Sequence, residues 1–105
     1  MSAREAKFCV GQLVRHALFG YRGVVTDVDG SFQLSDEWYE QVARTRPPRD
    51  QPWYHVLVHD SDHVTYVAER NLHVDPETRP IEHPMLSQYF DRFSNGRYEP
   101  ARRIN

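Results

Sequence analysis

The 105-residue sequence has one cysteine, Cys9, so no disulfide can form within it. Small secreted domains usually depend on such cross-links, and their absence points to a reducing compartment. No uncharged apolar run exceeds a handful of residues, whereas a helix needs roughly 20 to span a bilayer. No basic segment followed by an apolar stretch opens the sequence, so no secretory signal is expected and the cytoplasm is the expected location. An excess of one charge is missing too: 13 Lys and Arg stand against 15 Asp and Glu, for a formal net charge of −2. A dedicated nucleic-acid binder normally shows a basic excess. Repeats and low-complexity tracts are also absent, and the length suits one ordinary domain, 1–105.

Catalytic motifs are equally scarce. Six histidines invite a metal reading, with His55 and His59 on one strand face and His63 across a turn. No CxxC or HExxH spacing accompanies them, so no metal is expected. Ser31, Ser35 and Ser61 lack a nucleophile elbow. Cys9 lies between Phe8 and Val10, which predicts a buried, inert thiol. The pairs Asp27 and Asp29, and Asp60 and Asp62, are explained by strand ends and turns. Gly20 and Gly23 alone do not make a phosphate loop. The expectation is a binding module, not an enzyme, with no cofactor.

What the sequence does have is strand patterning. Phe8 to His16 reads as a strand with Val10, Gln12, Val14 and His16 on one face, and Tyr21 to Val28 as a second with apolar residues on both faces. Glycine at positions 20 and 23 suggests a bend or a close backbone approach. Trp53 to His59 alternates Tyr54, Val56 and Val58 against Trp53, His55 and Leu57. Asp60 to His63 is turn chemistry, and Val64 to Ala68 returns with Val64, Tyr66 and Ala68 on one side. Glu69 to Asn71 fits one helical turn, and Leu72 to Val74 a closing strand. Between the second and third strands lies an inserted helix. Ser35 caps it, Asp36 and Glu37 suit its positive end, and Trp38 and Val42 share a face. Pro47, Pro48 and Pro52 then end regular structure.

Beyond Asp75 the chain loosens. Met85, Tyr89 and Phe93, supported by Leu86 and Phe90, fall at helical spacing and predict a short C-terminal helix stopped by Asn95–Gly96. Core packing and a subunit contact through Met85, Tyr89, Phe90 and Phe93 are both consistent with this face. The last nine residues, 97–105, are polar and expected to be flexible. The fold class expected is mainly β: a small, bent antiparallel barrel of SH3 type, with one inserted helix and a short C-terminal helix. Arg44, Arg46 and Arg49 flank the proline loop and are candidates for partner or phosphate contact. The first fifty residues hold seven basic and seven acidic side chains, so folding would have to create any patch.

Four motifs in order carry a family resemblance: Phe8-Cys-Val-Gly11-Gln-Leu-Val-Arg-His16, Gly20-Tyr-Arg-Gly23-Val-Val-x-Asp27, Pro52-Trp-Tyr-His-Val56 and Thr65-Tyr-Val-Ala-Glu69-x-x-Leu72, with His83–Pro84 beyond them. The stretch from Phe8 to about Pro84 resembles the HspQ heat-shock proteins, also called YccV-like or hemimethylated-DNA-binding proteins. The resemblance implies an SH3-like barrel, a cytoplasmic stress role and promotion of degradation by the Lon protease. It also implies, as an alternative, hemimethylated-DNA binding that affects replication initiation, and self-association, as in a trimer. It brings no catalytic residue. Under it, the terminal Arg102, Arg103, Ile104 and Asn105 are candidates for protease contact.

Overall fold

β-Branched and aromatic residues carry the sheet. In a computed structural model describing residues 5–101, five strands form one antiparallel sheet: β1 (Leu13–His16), β2 (Arg22–Asp29), β3 (Trp53–Val58), β4 (Val64–Ala68) and β5 (Leu72–Val74). Their order is β4-β3-β2-β1-β5. A register shift between Val25 and Asp27 bends the β2–β3 pair. The bent mainly-β sheet is as expected, but its ends are not hydrogen-bonded to each other, so the barrel stays incompletely closed. No helix among the described residues is long and apolar enough to cross a membrane.

Period-two alternation sorts side chains into two layers. Val14, Val25, Tyr54, Val56, Val67 and Leu72, with Phe8, fill the inner one. The outer face is covered at two ends: Leu13, Val24 and Leu57 meet Ile81, Phe90 and Tyr98, and Trp53 and Ala68 meet Tyr39 and Ala43. Gly23 sits where strands approach most closely: a Cβ there would lie 2.4 Å from Val56 Cγ1 and 2.6 Å from the Leu57 carbonyl oxygen. The glycine inside the strand is thus required by close approach. Gly11, at φ 91°, likewise lies against the Tyr98 carbonyl. Val56 is fully buried. Val56→Ala is expected to lose about 1–3 kcal/mol in urea unfolding, and a loss near zero would reject this assignment of faces.

Several elements differ from their sequence-based expectation. The first strand begins at Leu13, because Gly11 turns the chain and its N–H bonds the Val25 carbonyl at 2.8 Å. Cys9 is exposed, not buried, and its Sγ accepts a hydrogen bond from Arg97 Nη1 at 3.1 Å. The inserted helix α1 (Asp36–Val42) is capped as expected, with Ser35 Oγ accepting from the Trp38 N–H. It buries Tyr39 while Val42 is left 54% exposed. In β4 it is Val67 that enters the core, whereas Val64 is exposed.

The C-terminal expectation changes most. Helix α2 covers only Leu86–Tyr89, and the chain then forms a hairpin, β6 (Phe90–Ser94) with β7 (Arg97–Pro100). Arg97–Pro100, expected within a flexible tail, is strand. Residues Arg102, Arg103, Ile104 and Asn105 lie outside the described residues.

Candidate binding site

A slot of 560 Å³ opens along the edge of β4. Three separate segments build it. The turn after β1 supplies Leu18 and Phe19, exposed at 58% and 78%. Helix α1 and the residues following it supply Trp38, Val42 and Arg44, and β4 itself runs along the floor from Val64 to Ala68. No acidic side chain and no lysine lines the slot. Arg44 makes no ion pair among the described residues and is the one permanently charged group on the lining. Such a surface is built to desolvate apolar groups.

The walls are positioned by specific bonds. His16 is buried, and its Nδ1 accepts hydrogen bonds from the N–H groups of Leu18 and Phe19, both at 3.1 Å. Its ring also stacks on Phe19 at 4.6 Å between centroids. Burial lowers the His16 pKa below 6.5, which favours the neutral ring whose Nδ1 can accept both bonds. The opposite wall rests on an aromatic cluster. Phe32 packs on Trp38, Tyr39, Trp53 and Tyr66, and Trp53 stacks on Tyr66 at 5.2 Å. Tyr66 donates to Asp29 Oδ2 at 2.7 Å and accepts from the Gln33 N–H. Burial first, and then the bond to Asp29, raises the phenol pKa. On the other side Tyr21 and Thr65 share a hydroxyl hydrogen bond of 2.8 Å.

The residues singled out from sequence fall in different places. Arg46 pairs with Glu40 at 2.8 Å and lies over the Tyr39 ring. Arg49 pairs with Asp36 at 2.6 Å and lies over Phe32 and Tyr39. Two of the three proline-loop arginines are therefore neutralised by α1, and Arg44 alone reaches the slot. Phe90 is buried in the outer core, Met85 and Phe93 pack against it, and Tyr89 is 36% exposed.

His55, His59 and His63 do not converge. His59 Nδ1 accepts from the Glu82 N–H, and His63 is exposed. His55 instead groups with Asp27 and Asp29, their ligand atoms within 4.8 Å of one another. Asp29 Oδ2 already holds Tyr66, and His55 Nε2 is 3.3 Å from the same oxygen. That usage explains the group as a brace for the aromatic wall. His83 is a latch of the same kind: Nε2 donates to the His63 carbonyl at 2.9 Å while Nδ1 accepts from the Met85 N–H.

Leu18, Phe19, Leu34, Val42 and Val64 are the slot residues that sequence reasoning passed over. The available signal was the apolar pair Leu18–Phe19 inside a tight turn, where polar residues are the norm. With the geometry in place, comparison with known families matches residues 6–97 to the family described as hemimethylated DNA-binding protein YccV like.

Proposed function

The chain belongs to the YccV-like family, a family of binding domains, and on that premise we propose that it is a non-enzymatic proteostasis accessory protein. It takes an apolar segment of an unfolded polypeptide into the β4 slot and promotes degradation of that polypeptide by the ATP-dependent Lon protease in the cytoplasm. The observation that carries this reading is the slot lining: exposed Leu18, Phe19, Val42 and Val64 around an aromatic wall, with Arg44 as its one permanent charge. Exposed apolar surface rimmed by polar residues is the mark of a protein or ligand contact. A heat-shock role, carried by the family resemblance, suits a surface of this kind.

The family's description favours a second reading, binding to hemimethylated DNA. Against it stand the balanced charge and the ion pairs that occupy Arg46 and Arg49. Affinity for the duplex backbone comes chiefly from Lys and Arg that neutralise phosphates.

Degradation of a denatured substrate by purified Lon, followed with and without this protein, tests the first reading. Turnover is expected to rise several-fold, and an excess of an apolar peptide should cancel the rise. Unchanged turnover across several substrates would sink it. In that event, tighter binding to hemimethylated than to unmethylated duplex at physiological salt would establish the second reading instead.

A further inference from the structure

The floor of the slot is an unpaired sheet edge. β4 pairs only with β3, at the register Tyr54↔Val67, His55↔Tyr66 and Val56↔Thr65. The Val58 N–H donates to the His63 carbonyl at 3.1 Å, and the Glu69 N–H to the Pro52 carbonyl at 3.0 Å. Hydrogen-bonded pairs alternate in an antiparallel ladder, so His63, Thr65, Val67 and Glu69 face β3 with their main-chain groups. Val64, Tyr66 and Ala68 occupy the intervening positions, whose N–H groups point outward into the slot. None of those three N–H groups has a partner among the described residues.

Exposed edges are normally blunted by lysine, proline, a bulge or an inward charge. The sequence of β4 is Val-Thr-Tyr-Val-Ala, with none of these. Both faces of the strand contribute to the slot: Thr65 and Val67 beside Tyr21, and Tyr66 and Ala68 beside Trp38, with Phe19, Val42 and Val64 also on the lining. An extended chain laid along the edge would send alternate side chains to the two apolar walls. A helix spends its main-chain carbonyls on its own hydrogen bonds, whereas an extended chain presents them at the spacing of the outward N–H groups.

We infer that the slot binds its polypeptide by strand addition: an extended, uncharged, apolar segment becomes a sixth strand beside β4, hydrogen-bonded to the main chain of Val64, Tyr66 and Ala68. This rests on the slot reading above and adds its mode and its specificity, which is for backbone in extended form more than for any one side chain. The occupant is a foreign segment and not a second copy's β4. That edge lies at the bottom of an identical walled slot, so wall would meet wall before the two edges could pair.

The probe is a fluorescein-labelled peptide of alternating valine and leucine with a glutamate tail. Amide hydrogen exchange of the full chain is followed with and without it. Saturating peptide is expected to slow exchange at Val64, Tyr66 and Ala68 at least tenfold. A peptide of the same side chains, N-methylated at every residue, should bind at least tenfold more weakly by fluorescence anisotropy. Equal binding of the two peptides with those amides still exchanging fast would overturn strand addition while leaving the slot reading intact. Failure of both peptides to bind would remove strand addition and the slot reading together. Protection of the three amides that rises with protein concentration alone would assign the edge to a second copy, and so also overturn the inference.

Discussion

Replacing Asp75 by Asn is expected to cost about 3–5 kcal/mol, out of a total domain stability on the order of 5–15 kcal/mol. The carboxylate is fully buried, and it is the focus of a network that ties the sheet to the segment after β5. Arg22, itself buried, donates through Nε to Asp75 Oδ2 at 2.6 Å and through Nη2 to the Arg79 carbonyl at 2.6 Å. Arg15 Nη2 reaches Asp75 Oδ1 at 3.4 Å and Glu77 Oε2 at 2.8 Å, and the Glu77 N–H donates to Asp75 Oδ1. Glu77 is bonded in turn to Arg79. Asparagine keeps the shape but removes the counter-charge at 2.6 Å, leaving the buried Arg22 guanidinium only Glu77 Oε2, at 3.9 Å. The thermal midpoint should fall by well over about 10 °C. A loss below about 1 kcal/mol would reject the network as a structural anchor. The double variant Arg22→Met with Asp75→Leu supplies the control: with both partners apolar, it should recover most of the single variant's loss.

The same group sets the acid limit of the fold. Burial alone would raise the Asp75 pKa, but the bonds from Arg22 and the Glu77 N–H, with the charges of Arg22 and Arg15, bring it below 3.8. A carboxylate depressed on folding stabilises the folded state above its unfolded pKa. That contribution is lost as pH falls through the folded value. Urea midpoints measured from pH 6 downward should therefore hold until about pH 4 and then drop. In Asp75→Asn this part of the acid limb should be absent.

Local signals in the sequence were reliable where one short segment decides the outcome. Ser35 caps α1 because its side chain can reach the Trp38 N–H three residues on, and Tyr54 and Val56 alternate into the core because a strand leaves them no other face. The expectation failed where two periods fit the same residues. Met85, Tyr89 and Phe93 suit a helix, yet the helical turn ends at Tyr89. Phe90 and Phe93 then pack from β6 onto Tyr98 of β7. By sequence alone, Asn95–Gly96 suits a helix stop. With φ of 55° and 75° at its two residues it is a hairpin turn, the other standard use of that pair. Tertiary packing decided between the two readings, through a partner strand that a local period does not reveal. The slot was illegible for a related reason. Phe19, Val42 and Val64 lie on three segments that only the register of the sheet and the placement of α1 bring together.

Phe19→Asp combined with Val42→Asp is expected to abolish capture of apolar polypeptide while leaving the fold intact. Neither side chain supports the core: Phe19 is 78% and Val42 54% exposed. Their replacement should therefore move the urea midpoint little, as surface changes usually shift stability by within about 0.5 kcal/mol. At the slot they stand on opposite walls, and each carboxylate would be desolvated by any apolar occupant. Aromatic residues central to a contact typically contribute about 2 kcal/mol or more to binding, about thirtyfold in affinity each. The Val42 change adds a buried charge on the facing wall. Binding of the valine–leucine peptide should weaken at least a hundredfold, and the acceleration of Lon turnover should vanish with it. Retained acceleration in a folded double variant would mean that clients engage a different surface. Loss of acceleration with peptide binding intact would place the protease contact, not the client contact, at the slot. His16 links this outcome to backbone geometry, since its Nδ1 fixes the N–H groups of Leu18 and Phe19. His16→Ala should release the turn and weaken peptide binding without introducing any charge.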